Sequence, residues 1–96
     1  MPNAHLSITH DTAAQCFTTE VDGLRCEACY QRAGNTLVFT HTGVPARLQG
    51  RGIAAALIET ALGHARAQGL KVRPLCSYVS VYMRRHPETL DLLDSA

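Results

Sequence analysis

The stretch Gln49-Gly50-Arg51-Gly52-Ile53-Ala54 limits what this chain can fold into more than any other part of the sequence. It follows a strand-like run that ends near Thr42, and it opens the longest helical pattern, over about residues 52–68. A glycine-rich turn at the start of a helix presents free backbone N–H groups and the positive end of the helix dipole. Such a turn binds anions, phosphate above all, and its glycines let a bulky ligand approach the backbone. We therefore predict a phosphate-containing ligand at this turn.

Length and charge narrow the class of protein. The chain has 96 residues, and we expect one small domain spanning residues 1–96. The net charge is +1 and no long basic run is present, which argues against a dedicated nucleic-acid-binding protein. No apolar run approaches the ~20 residues that span a bilayer, so we expect no membrane partner.

The N-terminus and the cysteines bear on location and redox state. Met1-Pro2-Asn3-Ala4-His5 lacks a charged region followed by an apolar core, so we predict no signal peptide and a cytoplasmic location. There the four cysteines are expected to be free thiols. Cys26-x-x-Cys29 falls on a predicted strand, where residues three apart point to opposite faces, and further zinc ligands at motif spacing are missing. We expect no metal site, and we expect Cys16 to be an ordinary strand residue.

The first half of the chain has the pattern of an antiparallel sheet. Alternating apolar positions and β-branched residues are typical of strands. Asp22-Gly23 is among the strongest two-residue signals for a hairpin turn. The predicted strands cover residues 6–10, 16–21, 24–32 and 36–42.

The second half has the pattern of a β-α-β unit. Ile53, Leu57 and Ala61 form one apolar stripe of the main helix, and Gly69 is placed to end it. A strand over residues 70–76, a second helix over 78–85 and a helical turn over 88–93 complete the chain. A strand, helix and strand in that order imply a parallel pair with a right-handed crossover. We therefore predict an α+β fold in which antiparallel strands lead into the β-α-β unit and a short C-terminal helix.

Three phosphate-binding motifs compete for the glycine turn. A P-loop requires Gly-Lys-Ser/Thr, and no lysine is present here. Gly50-x-Gly52-x-x-Ala55 formally fits a dinucleotide fingerprint, but residues 43–48 separate it from the strand and no acid follows to hold a ribose. The third pattern, Gln49-x-x-Gly52-x-Ala54, matches the Gln/Arg-x-x-Gly-x-Gly/Ala pattern of the GCN5-related N-acetyltransferases.

The similarity to that family extends beyond the glycine turn. The chain resembles its miniature, single-domain acetyltransferase-like subfamily over nearly its whole length and most specifically over residues 39–87. The segments that carry the resemblance outside the turn are Phe39-Thr40-His41-Thr42-x-Val44-Pro45, Pro74-Leu75-Cys76 and Tyr82-x-Arg84-Arg85-His86-Pro87.

The resemblance implies acetyl-coenzyme A as the co-substrate. Backbone amides of Gln49, Gly50, Arg51, Gly52, Ile53 and Ala54 are expected to hold its pyrophosphate. Strand residues near Thr42 and Val44 are expected to pair through their backbones with the pantetheine arm. Arg47 and Arg51 either neutralise coenzyme phosphates or are solvated surface charges.

Three side chains are candidates for the chemistry. Cys76 ends the strand after the main helix, and the resemblance places it at the active site, as a nucleophile or as part of the thioester pocket; the alternative is a buried structural cysteine. His41 is a candidate general base or a hydrogen-bonded histidine beside the core. Tyr82 either protonates the departing thiolate, as the resemblance implies, or packs in the core.

The acceptor half of the site is expected to be reduced. Larger relatives place helices between the first two long strands, whereas Val21-Asp22-Gly23-Leu24 leaves room only for a tight turn. An open site suits an exposed amine on a protein, a peptide or a polyamine. We predict an acetyl-coenzyme A-dependent N-acetyltransferase, and the alternative is a coenzyme A-binding regulatory module with little turnover.

Overall fold

The computed structural model describes residues 6–94, so the N-terminal segment for which we predict no signal peptide lies outside the described residues. Five strands form one mixed sheet in the order β1 to β5. The strands are β1 (Thr9–Asp11), β2 (Cys16–Val21), β3 (Leu24–Ala33), β4 (Thr36–Gly43) and β5 (Lys71–Pro74). The helices are α1 (Ile53–Ala67) and α2 (Ser77–Arg85), with short 3₁₀ helices at Ala46–Leu48 and Pro87–Leu92. The predicted α+β arrangement is therefore confirmed.

The antiparallel half follows the predicted hairpins. Asp22 and Gly23 have φ angles of 53° and 77°, and this left-handed pair matches the twist of the flanking strands. The tight turn leaves no room for a helix between β2 and β3. β1 differs from the prediction, because it begins at Thr9 rather than at residue 6 and pairs with β2 only as far as Asp11.

One apolar core lies between the sheet and the helices. The inward face of the sheet supplies Phe17, Phe39 and other buried side chains, and α1 covers them with its buried stripe. From α2, Val79 and Met83 reach the same core, while Tyr82 is only partly buried. The opposite face of the sheet, here called the outer face, carries no helix among the described residues. No helix within residues 6–94 is long and apolar enough to cross a membrane.

The prediction of four free thiols is wrong for two of the cysteines. Cys16 and Cys29 form a disulfide between β2 and β3. The antiparallel register sets them directly opposite each other, with Cα atoms 4.1 Å apart, although 13 positions separate them in sequence. Cys26 and Cys76 are free. As predicted for residues three apart, Cys26 is buried on the inner side while Cys29 lies on the outer face.

Candidate functional site

The turn between β4 and α1, here called the glycine loop (residues 49–52), has a backbone that only glycine adopts readily at two positions. Gly50 and Gly52 have φ angles of 86° and 79°, and Gly52 is the N-cap residue of α1. No side chain caps this end, and the first hydrogen bond within the helix runs from the N–H of Ala56 to the carbonyl of Gly52. The N–H groups of the first turn therefore remain for an external anion.

Of the polar side chains around the glycine loop, one ties the loop to β4 and two are exposed arginines. Gln49 donates from Nε2 to the carbonyl oxygen of Val44 over 3.1 Å, which ties the loop to the end of β4. Arg51 makes an exposed ion pair with Asp22 of the β2–β3 turn, with 3.2 Å between Nη1 and Oδ2. Arg47 is exposed on the preceding 3₁₀ helix. Arg51 therefore lies in the loop with a carboxylate partner already in place, and Arg47 lies two positions before the loop.

The strands β4 and β5 separate at a defined point, and the separation opens the sheet edge. Their parallel ladder ends at Phe39 opposite Pro74, because a proline has no N–H to continue it. The N–H groups of Leu75 and Cys76 both donate to the carbonyl of Phe39, over 3.1 and 2.9 Å. Beyond this point β4 runs on to Gly43 paired with β3 but not with β5, after a bulge in the β3–β4 pairing. Residues 40–43 therefore present backbone groups toward a gap, here called the strand opening.

The thiol of Cys76 lies inside the strand opening. Its Sγ is 3.4 Å from Oγ1 of Thr42, on the other side of the gap. Cys76 is also the N-cap residue of α2, so the backbone N–H groups of Tyr78 and Val79 in the first turn lie near the sulfur. Burial opposes ionisation of this thiol, but the Thr42 hydroxyl and the N–H groups of Val79 and Tyr78 outweigh that effect and lower the pKa of Cys76. The Cys76 side chain makes no capping hydrogen bond with these N–H groups.

Removal of the Thr42 hydroxyl is expected to make Cys76 less reactive. In Thr42→Val the isosteric side chain no longer stabilises the thiolate, so the pKa of Cys76 rises and a smaller fraction is ionised at a fixed pH. We expect the pH midpoint of Cys76 alkylation by iodoacetamide to move upward and the rate at neutral pH to fall by about threefold to tenfold, the effect of losing one hydrogen bond of ~0.5–1.5 kcal/mol.

Thr42→Ser is the matched control, because it keeps the hydroxyl. Cys26 does not interfere with the readout, since it is buried and burial raises the pKa of its thiol. An alkylation profile of Thr42→Val that coincides with those of the wild type and Thr42→Ser would show that the hydroxyl does not act on Cys76.

The other two catalytic candidates lie apart from Cys76. His41 is on the outer face of β4, where its Nε2 is 3.2 Å from Oε2 of Glu27 and its ring covers the backbone of Gly43. Tyr82 lies six residues beyond Cys76, ~9 Å along α2, and stacks on His86 with ring centroids 4.0 Å apart. Burial raises the pKa of Tyr82, which favours a neutral phenol. The structure therefore brings Cys76 together with Thr42, and not with His41 or Tyr82.

Two adjoining cavities lie beside α1, and one of them borders the glycine loop. One of about 210 Å³ is lined by the loop, the start of α1 and Val44. The other, of about 380 Å³, lies between α1 and α2. Ala55 and Tyr78 line both. Two residues near the candidate site were not predicted from the sequence. Tyr78 lines both cavities, and its position two residues after Cys76 could have indicated this. Glu27 contacts His41, and that contact depends on the register of the strands.

Comparisons with known proteins bear on the family and fold of this chain. The sequence matches the family model of the GCN5-related N-acetyl-transferases over residues 16–92. No curated protein matches it. Among solved structures, the fold is similar to the NMR solution structure of a GCN5-like candidate N-acetyltransferase from Staphylococcus aureus. That similarity has a TM-score of 0.75 and 25% sequence identity, and it covers 97% of this chain and 92% of the other. The chain therefore belongs to the GCN5-related N-acetyltransferase family.

Proposed function

We propose that this protein transfers an acetyl group from acetyl-coenzyme A to a primary amine. The observation that carries the proposal is the strand opening, which begins beside the glycine loop and contains the Cys76 thiol next to Thr42. An uncapped helix N-terminus, a free strand edge and a thiol thus lie at the same end of the sheet. They correspond to the three parts of the coenzyme: its pyrophosphate, its amide-containing arm and its thioester.

The pyrophosphate binds at the glycine loop in this proposal. The first-turn N–H groups of α1, including those of Ile53 and Ala54, donate to its oxygens, and the helix dipole favours its charge. The amides of the pantetheine arm pair with the free backbone edge of β4 near Thr42 and Val44. The Val44 carbonyl already accepts a hydrogen bond from Gln49, so its second lone pair remains for the coenzyme.

The acetyl thioester then lies beside Cys76 and Thr42. The amine nitrogen attacks the carbonyl carbon, the C–N bond forms, the C–S bond breaks, and coenzyme A leaves as a thiolate that takes up a proton. The amine approaches from the outer face of the sheet, where His41 is exposed and held by Glu27, and His41 is our candidate to accept its proton. Because the tight β2–β3 turn carries no helix, the outer face of the sheet stays open to solvent. An open face suits an amine on a protein, a peptide or a polyamine.

Thiol release in the presence of amines tests the proposal. Purified protein is mixed with acetyl-coenzyme A and, separately, with a lysine peptide, a peptide with a free N-terminus, a polyamine and simple primary amines. The proposal predicts that at least one amine produces free thiol and an equal amount of acetylated amine. Thermal stabilisation by acetyl-coenzyme A without thiol release from any amine would favour the alternative, a coenzyme-binding module. Neither stabilisation nor release would contradict both.

A further inference from the structure

Four side chains with metal-binding atoms gather on the outer face of the sheet. Cys16 of β2 lies opposite Cys29 of β3, and Cys29 lies opposite His41 of β4. Glu27 precedes Cys29 by two positions, so both project to the same face. The ligand atoms of Cys16, Glu27 and Cys29 all lie within 4.8 Å of one another, and Nε2 of His41 is 3.2 Å from a Glu27 oxygen.

The chemistry of this group fits one class of ion. Two thiolates, an imidazole and a carboxylate form a mixed sulfur, nitrogen and oxygen set, which favours zinc-class ions over calcium or magnesium. Zinc–ligand bonds of about 2.0–2.3 Å in a tetrahedron place neighbouring ligand atoms about 3.3–3.8 Å apart. The ligand atoms of Cys16, Glu27 and Cys29 lie within 4.8 Å of one another, and His41 contacts Glu27. Closing the site therefore requires that the disulfide open and that the Glu27 and His41 side chains rotate toward the two sulfurs.

We propose that reduction of the Cys16–Cys29 disulfide turns this cluster into a zinc-class metal site, with Cys16, Cys29, Glu27 and His41 as its ligands. The disulfide form has no thiolate to offer, so the oxidation state of the pair decides whether the ion binds. This set differs from the Cys26-x-x-Cys29 pair, whose members project to opposite faces.

The site forms in two steps, reduction of the disulfide and binding of the ion. A small-molecule or protein dithiol reduces the disulfide, so that the S–S bond breaks, Cys16 and Cys29 each gain a hydrogen, and the dithiol becomes a disulfide. The divalent ion then displaces the two thiol protons to solvent. Glu27 gives up its contacts with His41 and with Arg25, whose Nε is 3.0 Å from Oε1 of Glu27, in order to bind the ion. The Glu27 and His41 side chains are exposed enough to rearrange, at 29% and 57% of their surface.

Cobalt(II) is the probe that tests the site, because thiolate coordination gives it ultraviolet charge-transfer bands and a tetrahedral site gives it intense visible bands. The complete chain is titrated with cobalt after treatment with a phosphine reductant, and again in its disulfide form. We expect both sets of bands at one ion per chain in the reduced protein only, and their loss on addition of zinc. A reduced protein without thiolate bands would overturn the proposal.

Single substitutions identify the ligands. Cys29→Ser is expected to abolish the intense bands, whereas Cys26→Ala and Cys76→Ala, which remove the other two thiols, are expected to keep them. His41→Ala is expected to weaken cobalt binding at least tenfold while the thiolate bands persist at saturation. Bands that survive Cys29→Ser would overturn the site, and unchanged affinity in His41→Ala would remove His41 from it.

Discussion

Gly52→Asp is expected to abolish acetyl-coenzyme A binding. The substitution adds a carboxylate at the N-cap of α1, where the pyrophosphate binds in our proposal. Two unit charges 4 Å apart repel by about 4 kcal/mol at an effective dielectric constant of 20, so the dissociation constant is expected to rise at least about 100-fold. Isothermal titration calorimetry measures this constant directly.

Two controls separate charge from backbone strain. Gly52→Asn has the same shape as Gly52→Asp and meets the same φ of 79°, but it adds no charge and is expected to lose much less affinity. Gly63→Asp adds the same carboxylate on an exposed part of α1, where a Cβ meets nothing within 4 Å, and is expected to bind normally. A folded Gly52→Asp protein with wild-type affinity would exclude the glycine loop as the pyrophosphate site.

Cys76→Ala is expected to impair turnover without impairing coenzyme binding. The thiol lies in the strand opening, and the phosphate contacts lie at the glycine loop. Loss of a polar group at the thioester is expected to lower kcat about tenfold, or ~1.4 kcal/mol on the barrier. Steady-state kinetics with the amine found in the thiol-release panel gives kcat, and calorimetry gives the affinity for acetyl-coenzyme A.

Cys26→Ala is the matched control for Cys76→Ala. Cys26 is a free thiol in the core, so its truncation is expected to lower stability and to leave kcat per folded molecule unchanged. We also expect mass spectrometry to find no acetyl group on Cys76 after incubation with acetyl-coenzyme A alone, since direct attack by the amine needs no acyl-enzyme. Full kcat in Cys76→Ala would refute a role for this thiol in turnover.

Most of the fold was predictable because local signals and tertiary packing agree. Asp22-Gly23 specifies a turn that only a tight hairpin satisfies, and the structure has left-handed φ angles at both residues. The apolar stripe of α1 predicted both its length and its buried face. β1 was predicted less well, because a short edge strand is determined by its partner β2 more than by its own sequence.

The site was predictable only where one segment forms it. The glycine loop is contiguous in sequence, so its backbone and its place before α1 followed from the motif. The contact between Cys76 and Thr42 joins residues 34 positions apart and depends on where Pro74 ends the β4–β5 ladder. The disulfide between Cys16 and Cys29 follows from the β2–β3 register, which the two-residue Asp22-Gly23 turn already sets, so this pairing was predictable from the sequence and was missed.

Titration of isotope-labelled protein with acetyl-coenzyme A, followed by ¹H–¹⁵N NMR, tests the central claim most directly, because it reports on each backbone amide. If the glycine loop and the strand opening form one coenzyme site, the largest changes will occur at the amides of Gly50 to Ala54 and of Thr42 to Val44, with smaller ones at Cys76. Amides of β1 and β2 will change little. Changes confined to β1 and β2, with the glycine loop unaffected, would contradict the account.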